Sequence, residues 1–397
     1  MQNCATNNCA NAPVQFYDEF LASMHNTLYK NYAPKAPKTG KKSICLIAIH
    51  LDYDGSNIAI CNSAQVLKNC GYNVTLFVPS ANYNLVKELL LQNIHVVVFP
   101  AIWALNEQTI KFFDQFDVII VNTLVMIDCV VKLSVHKKVV WWLHENSDAS
   151  CNVYSSTFAR YPEYRNCTFN NVAIYAVSNI AKRNFLQYFS NVPCGILPLC
   201  IQDYYVPSVY HVTNKQKPLV IALIGGISKR KAQFDALCAL ERVQQKYAKE
   251  VQLLFVGNCG NSPYAQQVLQ KAKQNKAVKM LGVCTQAKVR NLYSNTIDVI
   301  LCPSYEETLS IVSVEGFMNC KACIVSRETG VAQYIEHGVN GLLCNAGDVA
   351  SIASCIEWCV QNRDKLASIG NNARSIYDAN FTPQAFQNNL VEIIEKC

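Results

Sequence analysis

Residues 296–345 read TIDVILCPSYEETLSIVSVEGFMNCKACIVSRETGVAQYIEHGVNGLLCN. A largely apolar run from Ile297 to Leu301 is closed by Pro303 and Ser304, which predicts a buried strand ending in a turn. From Ser310 the apolar positions Ile311, Val314, Phe317 and Met318 recur at helical spacing, with Ser310 placed to cap the helix. A second strand is expected over Ala322–Ser326, then a turn at Gly330, a short helix, and a third strand near Gly341–Cys344. A strand that feeds a helix through a short polar loop presents free N–H groups and the positive end of the helix dipole, so the start of this helix suits an anion. Glu307 and Glu315, seven residues apart in between, flank that point. A carboxylate repels phosphate but accepts hydrogen bonds from hydroxyls. The combination fits a ligand with a diphosphate in the middle and a polyol at each end, which is the layout of a nucleotide sugar.

The segment resembles the donor-site motif of the family 4 retaining glycosyltransferases of the GT-B fold. The resemblance rests on the E-x7-E pair Glu307 and Glu315, the helix after it, and the downstream pieces V-S-x-x-T-G at 325–330 and G-x-N-G-L-L at 338–343. Where the family usually has glycine this chain has Ser310, whose side chain is expected to take room beside the phosphates. The resemblance covers roughly residues 43–395, closely in the second half and more loosely in the first.

At 397 residues the chain is long enough for two domains with sizeable cores. No apolar run reaches the ~18 residues that would cross a bilayer. The N-terminal MQNCATNNCANAPVQ has neither a basic start nor an apolar centre, so no signal peptide is expected. The 20 cysteines are scattered through strands and helices, as at Cys45, Cys70, Cys302, Cys344 and Cys355, which reads as free thiols in a reducing compartment. Cys320 and Cys323 form one CxxC without a second pair in zinc spacing. The net charge of +7 is spread along the chain with no aromatic-plus-basic motif, so nucleic acid is not an expected partner. A cytoplasmic protein is expected.

Residues 1–42 read as an extension. Tyr17, Phe20, Leu21, Met24 and Leu28 have helical spacing before Pro34, Pro37 and Gly40, among Lys30, Lys35, Lys38, Lys41 and Lys42. Two readings stand: a packing helix with a solvated linker, or a basic surface against anionic lipid that would hold the protein peripherally at the inner face of the membrane. SICLIAI at 43–49, a polar loop HLDYDGSN at 50–57, a helix over Ile58–Asn69 and a strand at Val74–Val78 make a βαβ start. No G-x-G-x-x-G is present. Further strands and helices lead to VVWWLHEN at 139–146, which sets His144 and Glu145 at the carboxyl end of a parallel strand, where ligands bind in such sheets. After a polar linker at Tyr204–Lys217 a second series begins with LVIALI at 219–224. It is followed by Gly225, Gly226 and the cations Lys229, Arg230 and Lys231, a composition suited to phosphate.

The resemblance implies two Rossmann-like α/β domains with parallel sheets facing an interdomain cleft: an extension at 1–42, an acceptor-side domain at 43–205, a nucleotide-sugar domain at 206–380, and a helix at 381–397 returning to the first domain. It implies transfer of a sugar from a nucleotide-sugar donor to a glycan, lipid-linked or other hydroxyl acceptor, without metal or cofactor. Glu307 would hold sugar hydroxyls, His144 the sugar from the first domain, and Arg230 and Lys231 the departing phosphate. Leu309, Ser310, Ile311, Val312 and Gly226 would line the phosphate site, Glu315 would take the ribose, and Val283 would adjoin the base. Gly55 and Ser56 match the family's first, usually glycine-paired loop. Ala232 replaces a further family glycine. The Asp-x-Asp spacing Asp52–Asp54 falls in the first half and reads as a polar turn rather than a metal site. An epimerase or phosphorylase on the same fold, and a degenerate nucleotide-sugar-binding protein, are the alternatives.

Overall fold

The computed structural model describes residues 30–33, 40–52, 55–206, 217–247 and 250–397. The helix expected within residues 17–28, Tyr53 and Asp54, and most of the expected linker lie outside them. The described residues form two units. The first holds the chain up to Ala176, with Lys182–Leu197 and Gln387–Cys397; the second holds Val177–Ala181 and Pro198–Phe386. No helix among the described residues is long and apolar enough to cross a membrane, and the cysteines among them are free thiols.

The first unit carries an eight-stranded sheet in the order β1-β4-β3-β2-β5-β6-β7-β8. Its strands are β1 (Lys30–Tyr32), β2 (Ser43–Ile47), β3 (Asn73–Val78), β4 (His95–Val98), β5 (Val118–Asn122), β6 (Val139–Leu143), β7 (Val172–Ala176) and β8 (Gly195–Ile196). Central parallel strands are covered on both faces, which is why β5 and β6 read as continuous apolar runs, VIIVN and VVWWL, buried at every position. Only β1 runs antiparallel, against β4. Its three residues, KNY, are too short to announce a strand. Helix α1 spans Gly55–Asn69. It starts before the expected Ile58, so Gly55 and Ser56 form its first turn and not a polar loop. The buried Asn122 side chain donates to the Ser56 carbonyl oxygen at 3.0 Å and holds that turn against the end of β5. Between them and the return to the sheet come α2 (Tyr83–Leu91), α3 (Glu107–Phe112), α4 (Ile127–Leu133) and α5 (Ser147–Arg160), and α6 (Asn179–Leu186) follows β7.

The second unit is a six-stranded parallel sheet in the order β11-β10-β9-β12-β13-β14. The strands are β9 (Leu219–Ile224), β10 (Val251–Val256), β11 (Val278–Met280), β12 (Val299–Cys302), β13 (Ala322–Ser326) and β14 (Leu342–Cys344). The helices are α7 (Gln233–Tyr247), α8 (Pro263–Lys273), α9 (Gln286–Asn295), α10 (Ile311–Met318), α11 (Val349–Gln361) and α12 (Arg363–Asn380), with α13 (Pro383–Glu395) last. Because every strand points the same way, the β9, β12 and β13 loops all leave from one edge. From Gln387 on, the chain belongs to the first unit, where the Tyr72 hydroxyl donates to Glu395 Oε1 at 2.7 Å and Lys42 Nζ stands 3.1 Å from Glu395 Oε2.

Arg363, 2% exposed, closes the opposite edge. Its guanidinium donates to the carbonyl oxygens of Lys217 at 2.6 Å and Glu250 at 2.7 Å, just ahead of β9 and β10. Arg363→Met keeps the apolar stem but leaves both buried carbonyls without their charged donor. The second unit is expected to lose about 2–4 kcal/mol, since a hydrogen bond to a charged group contributes ~1.5–3 kcal/mol. Urea unfolding measures it; an unchanged midpoint would refute the assignment.

Candidate functional site

Three loops at the carboxyl edge of the second sheet build the site. The loop after β9 begins with Gly225, whose N–H donates to Val256 O at 2.7 Å, and the Ile227 N–H donates to Asn258 O at 2.9 Å, so it is laced to the loop after β10. The contact depends on Gly257: a Cβ there would stand 2.4 Å from Gly225 O. Gln233, fully buried at the start of α7, receives the Ser228 N–H at 3.2 Å and donates to Gly226 O at 3.0 Å, which fixes the loop from inside. A 3-10 turn over Lys229–Lys231 then presents the cations.

The loop after β12 carries Glu307, 9% exposed. Its Oε1 is shared by Lys231 Nζ and by Arg230 Nη1 at 2.8 Å, with Ser304 Oγ at 3.4 Å. Arg230 also donates to Glu306 O at 2.9 Å and its own carbonyl accepts from Tyr305 N at 2.8 Å. Burial pushes the Glu307 carboxyl up, but the Lys231 and Arg230 cations outweigh it and leave the group below the usual carboxylate range. The loop after β13 grips the same segment: Glu307 N–H donates to Glu328 O at 3.0 Å and Gly330 N–H to Glu307 O at 2.9 Å. Gly330 is required there, because a Cβ would fall 1.9 Å from Thr308 O. Ser178 completes the clamp, its hydroxyl donating to Thr308 O.

Helix α10 starts where expected, capped by Ser310, whose Oγ accepts from Ser313 N at 3.4 Å. Ser310 lies in the left-handed region at φ +74°, and Ala232, at the other family glycine, lies there too at φ +56°. A non-glycine residue in that region costs about 1–2 kcal/mol, and it persists only where the surroundings impose it. The Ser310 side chain is turned inward, 3.2 Å from Cys302 Sγ and 2.8 Å from Ser313 Oγ. The helix start is thus left to the amides around buried Leu309 and at Ile311 and Val312, the last two among first-turn N–H groups that no intrahelical carbonyl can serve.

One turn further, Glu315 Oε2 accepts from the hydroxyl of Tyr293 at 3.3 Å. Burial raises the Glu315 carboxyl, against the pull of the Tyr204 and Tyr293 phenols and Arg290. Val283 follows β11 and is 77% exposed. The second unit therefore brings together Gly226, Arg230, Lys231, Glu307, Leu309, Ser310, Ile311, Val312 and Glu315. Gln233, Ser178 and Tyr293 went unread in the sequence: Ser178 and Tyr293 act through contacts 130 and 22 residues away along the chain, while Gln233 closes on its own loop five and seven residues back.

Gly55, Ser56 and His144 belong to the first unit. His144 follows β6, its ring centroid 4.5 Å from that of Trp142. Its N–H donates at 2.9 Å to Oε2 of Glu145, whose Oε1 accepts from Leu124 N at 2.7 Å. Glu145 is pushed up to about 7 by burial, against the lowering effect of these amides. Asp52 accepts from the Asn82 side chain at 3.3 Å. Among the described residues no group of three or more His, Cys, Asp or Glu side chains is arranged to hold a metal ion.

Two family models match the chain: "Glycosyl transferases group 1" over residues 211–376 and "Glycosyl-transferase family 4" over residues 40–156. The alpha-maltose-1-phosphate synthase of Mycolicibacterium smegmatis is 25% identical over 189 residues, 45% of this chain and 48% of that protein. The sulfoquinovosyl transferase SQD2 of Arabidopsis thaliana is 28% identical over 162 residues, 40% of this chain and 30% of that one. These matches span less than half the length of either relative. Among solved structures, Anabaena Alr3699/HepE in complex with UDP-glucose superposes with a TM-score of 0.71 at 18% identity, covering 90% of this chain and 100% of that one. At that identity the likeness carries the fold, two parallel-sheet domains of the GT-B type.

Glu145 makes a pH test of the first unit. Its folded value, about 7, lies above the ordinary 4.5, so its contribution is fully present below pH ~4.5 and is lost as pH rises through 7. The shift corresponds to roughly 3 kcal/mol. Between pH 4.5 and 8 the wild type is expected to lose that much more unfolding free energy than Glu145→Gln, in which the site cannot ionise. Parallel profiles for the two proteins would exclude a raised carboxyl at this position.

Proposed function

Because the chain belongs to the group 1, family 4 glycosyltransferases, we propose that it moves a sugar from a nucleoside diphosphate sugar to a hydroxyl acceptor with retention at the anomeric carbon and without a divalent metal. The observation that carries this reading is the buried Glu307 carboxylate held by Lys231 and Arg230. In the free protein the carboxylate and the cations satisfy one another. A donor whose diphosphate lies at the start of α10 exchanges these partners: its phosphates take Lys231 and Arg230, and Glu307 is released to accept from sugar hydroxyls. Glu315 takes the ribose hydroxyls. His144, at the end of β6, is assigned to the donor sugar, and the α1 start at Gly55 and Ser56 to the first-unit side of the reaction.

As the bond between the anomeric carbon and the phosphate oxygen breaks, charge gathers on the nucleoside diphosphate, where Lys231, Arg230 and the Leu309–Val312 amides stabilise it in place beforehand. The acceptor oxygen bonds to the same face of the sugar, and its proton passes to the leaving phosphate. No residue of the site is placed as a covalent nucleophile in this scheme. The Anabaena protein was crystallised with UDP-glucose, which makes a uridine donor the first to test here. The acceptor class includes glycans and lipid-linked glycans, and a cytoplasmic location with peripheral attachment at the inner membrane face fits a lipid-linked acceptor.

Thermal shift with UDP, GDP, ADP and their sugars tests the donor: ligand at 100 times Kd stabilises by about 2.7 kcal/mol. Product analysis separates a new glycosidic bond from an isomerised donor or phosphate-dependent cleavage. Glu307→Gln is expected to cut turnover while the free nucleoside diphosphate still binds, and Glu315→Gln to weaken nucleotide binding. Equal losses of nucleotide affinity in the two would sink the assignment. Lys231→Ala is expected to lower turnover by about a hundredfold or more, while EDTA leaves it unchanged. Loss of activity in EDTA with recovery in Mg²⁺ would transfer attention to Asp52 and Asp54.

A further inference from the structure

Gln233 opens α7 with a side chain that is polar and yet fully buried. Its amide engages the loop after β9 at both ends: Oε1 accepts the Ser228 N–H at 3.2 Å and Nε2 donates to Gly226 O at 3.0 Å. An amide carries an acceptor and a donor at one tip, so it can pair with a passing backbone as a neighbouring strand would. No apolar side chain and no carboxylate can do both. The helix start that carries Gln233 is fixed in turn. The Phe234 N–H donates to the hydroxyl of Tyr264, on α8, at 3.0 Å. Ala232, fully buried at φ +56°, turns the chain from the cationic 3-10 turn into the helix.

Lys231 leans on the same loop. Its N–H donates to Ser228 O at 3.0 Å. Its stem lies over Gly225, where a Cβ would stand 3.0 Å from both Lys231 Cδ and Cε. Lys231 therefore touches the loop at Gly225 and Ser228, and Gln233 holds it at Gly226 and Ser228. Arg230 is tied elsewhere, to Glu306 O and Tyr305 N of the β12 loop. We infer that Gln233 is a positioning residue for Lys231: it holds the loop at 225–228 in the shape over which the lysine stem carries its ammonium to Glu307 in the free protein and to a donor's phosphate in the complex. The inference rests on the assignment of Lys231 to that phosphate. Gly226 is exposed and Ser228 half-buried. Without the amide their carbonyl and N–H can turn to water, so the loop loses its shape while the core beneath it stays packed.

The test uses the full chain and, of UDP, GDP and ADP, the diphosphate that binds tightest, beside its nucleoside. The ratio of the two dissociation constants reads what the phosphates contribute. Gln233→Met keeps the length of the side chain and removes both bonds. It is expected to lower that ratio about tenfold, the lower end of what a hydrogen bond to a charged group contributes. The nucleoside affinity is expected to stay unchanged, which general damage to the fold would not allow. In a Lys231→Ala background the same change is expected to have no further effect, because residues that act through one contact are not additive. Should Gln233→Met not fold, Gln233→Glu takes its place in the same cycle: repulsion of phosphate by a new carboxylate persists without Lys231, whereas a loss of positioning does not. If Lys231→Ala lowers the ratio but the Gln233 variant keeps it, weakens both ligands alike, or loses as much without Lys231 as with it, the inference is overturned and the phosphate assignment stands. If Lys231→Ala leaves the ratio unchanged, or wild type binds none of these diphosphates, that assignment fails and the inference falls with it.

Discussion

One carboxylate ties the second unit's edge together. Glu307 is buried, and a lone buried charge costs several kcal/mol unless it is paired and hydrogen-bonded. Two cations from the β9 loop meet that demand, so the loops after β9 and β12 must sit where those side chains can reach. The backbone follows. Arg230 and Glu306 are joined through a side chain, Arg230 and Tyr305 through their backbones, and the β13 loop closes on Glu307 through paired backbone bonds.

The helix start beside it shows how substitution at two family glycines was accommodated. Ser310 and Ala232 both keep positive φ. The strain is offset locally: Ser310 caps α10 and bonds to Ser313, while Ala232 is fully buried and its carbonyl accepts the first α7 bond from Ala236 at 3.1 Å. The Ser310 hydroxyl turns inward toward Cys302. A reading from composition alone counts these as losses; the backbone geometry counts them as retained turns.

In the first unit the polar edge is organised around Glu145 in a different way. Its oxygens take the amides of Leu124 and His144, so the loops after β5 and β6 are joined through a carboxyl that burial holds near neutrality. Where the second unit stabilises a charge with cations, the first stabilises a carboxyl with backbone donors.

The sequence by itself determined the alternating strands and helices and the position of α10 to within its cap, and it marked Glu307, Arg230 and Lys231 as candidates without pairing them. These are legible because apolar periodicity and capping act within a few residues, and because the E-x7-E pair and the cation run are local patterns. It did not determine the start of α1, which a bond from Asn122 on β5 draws back to Gly55. Nor did it show strand β1, whose three residues gain order only from β4. The phenolic partner of Glu315 was equally hidden: Tyr293 is 22 residues away from it along the chain. Such contacts belong to the tertiary structure, because a buried carboxylate is satisfied by whichever donors the packing brings to it, and sequence spacing carries no record of that choice.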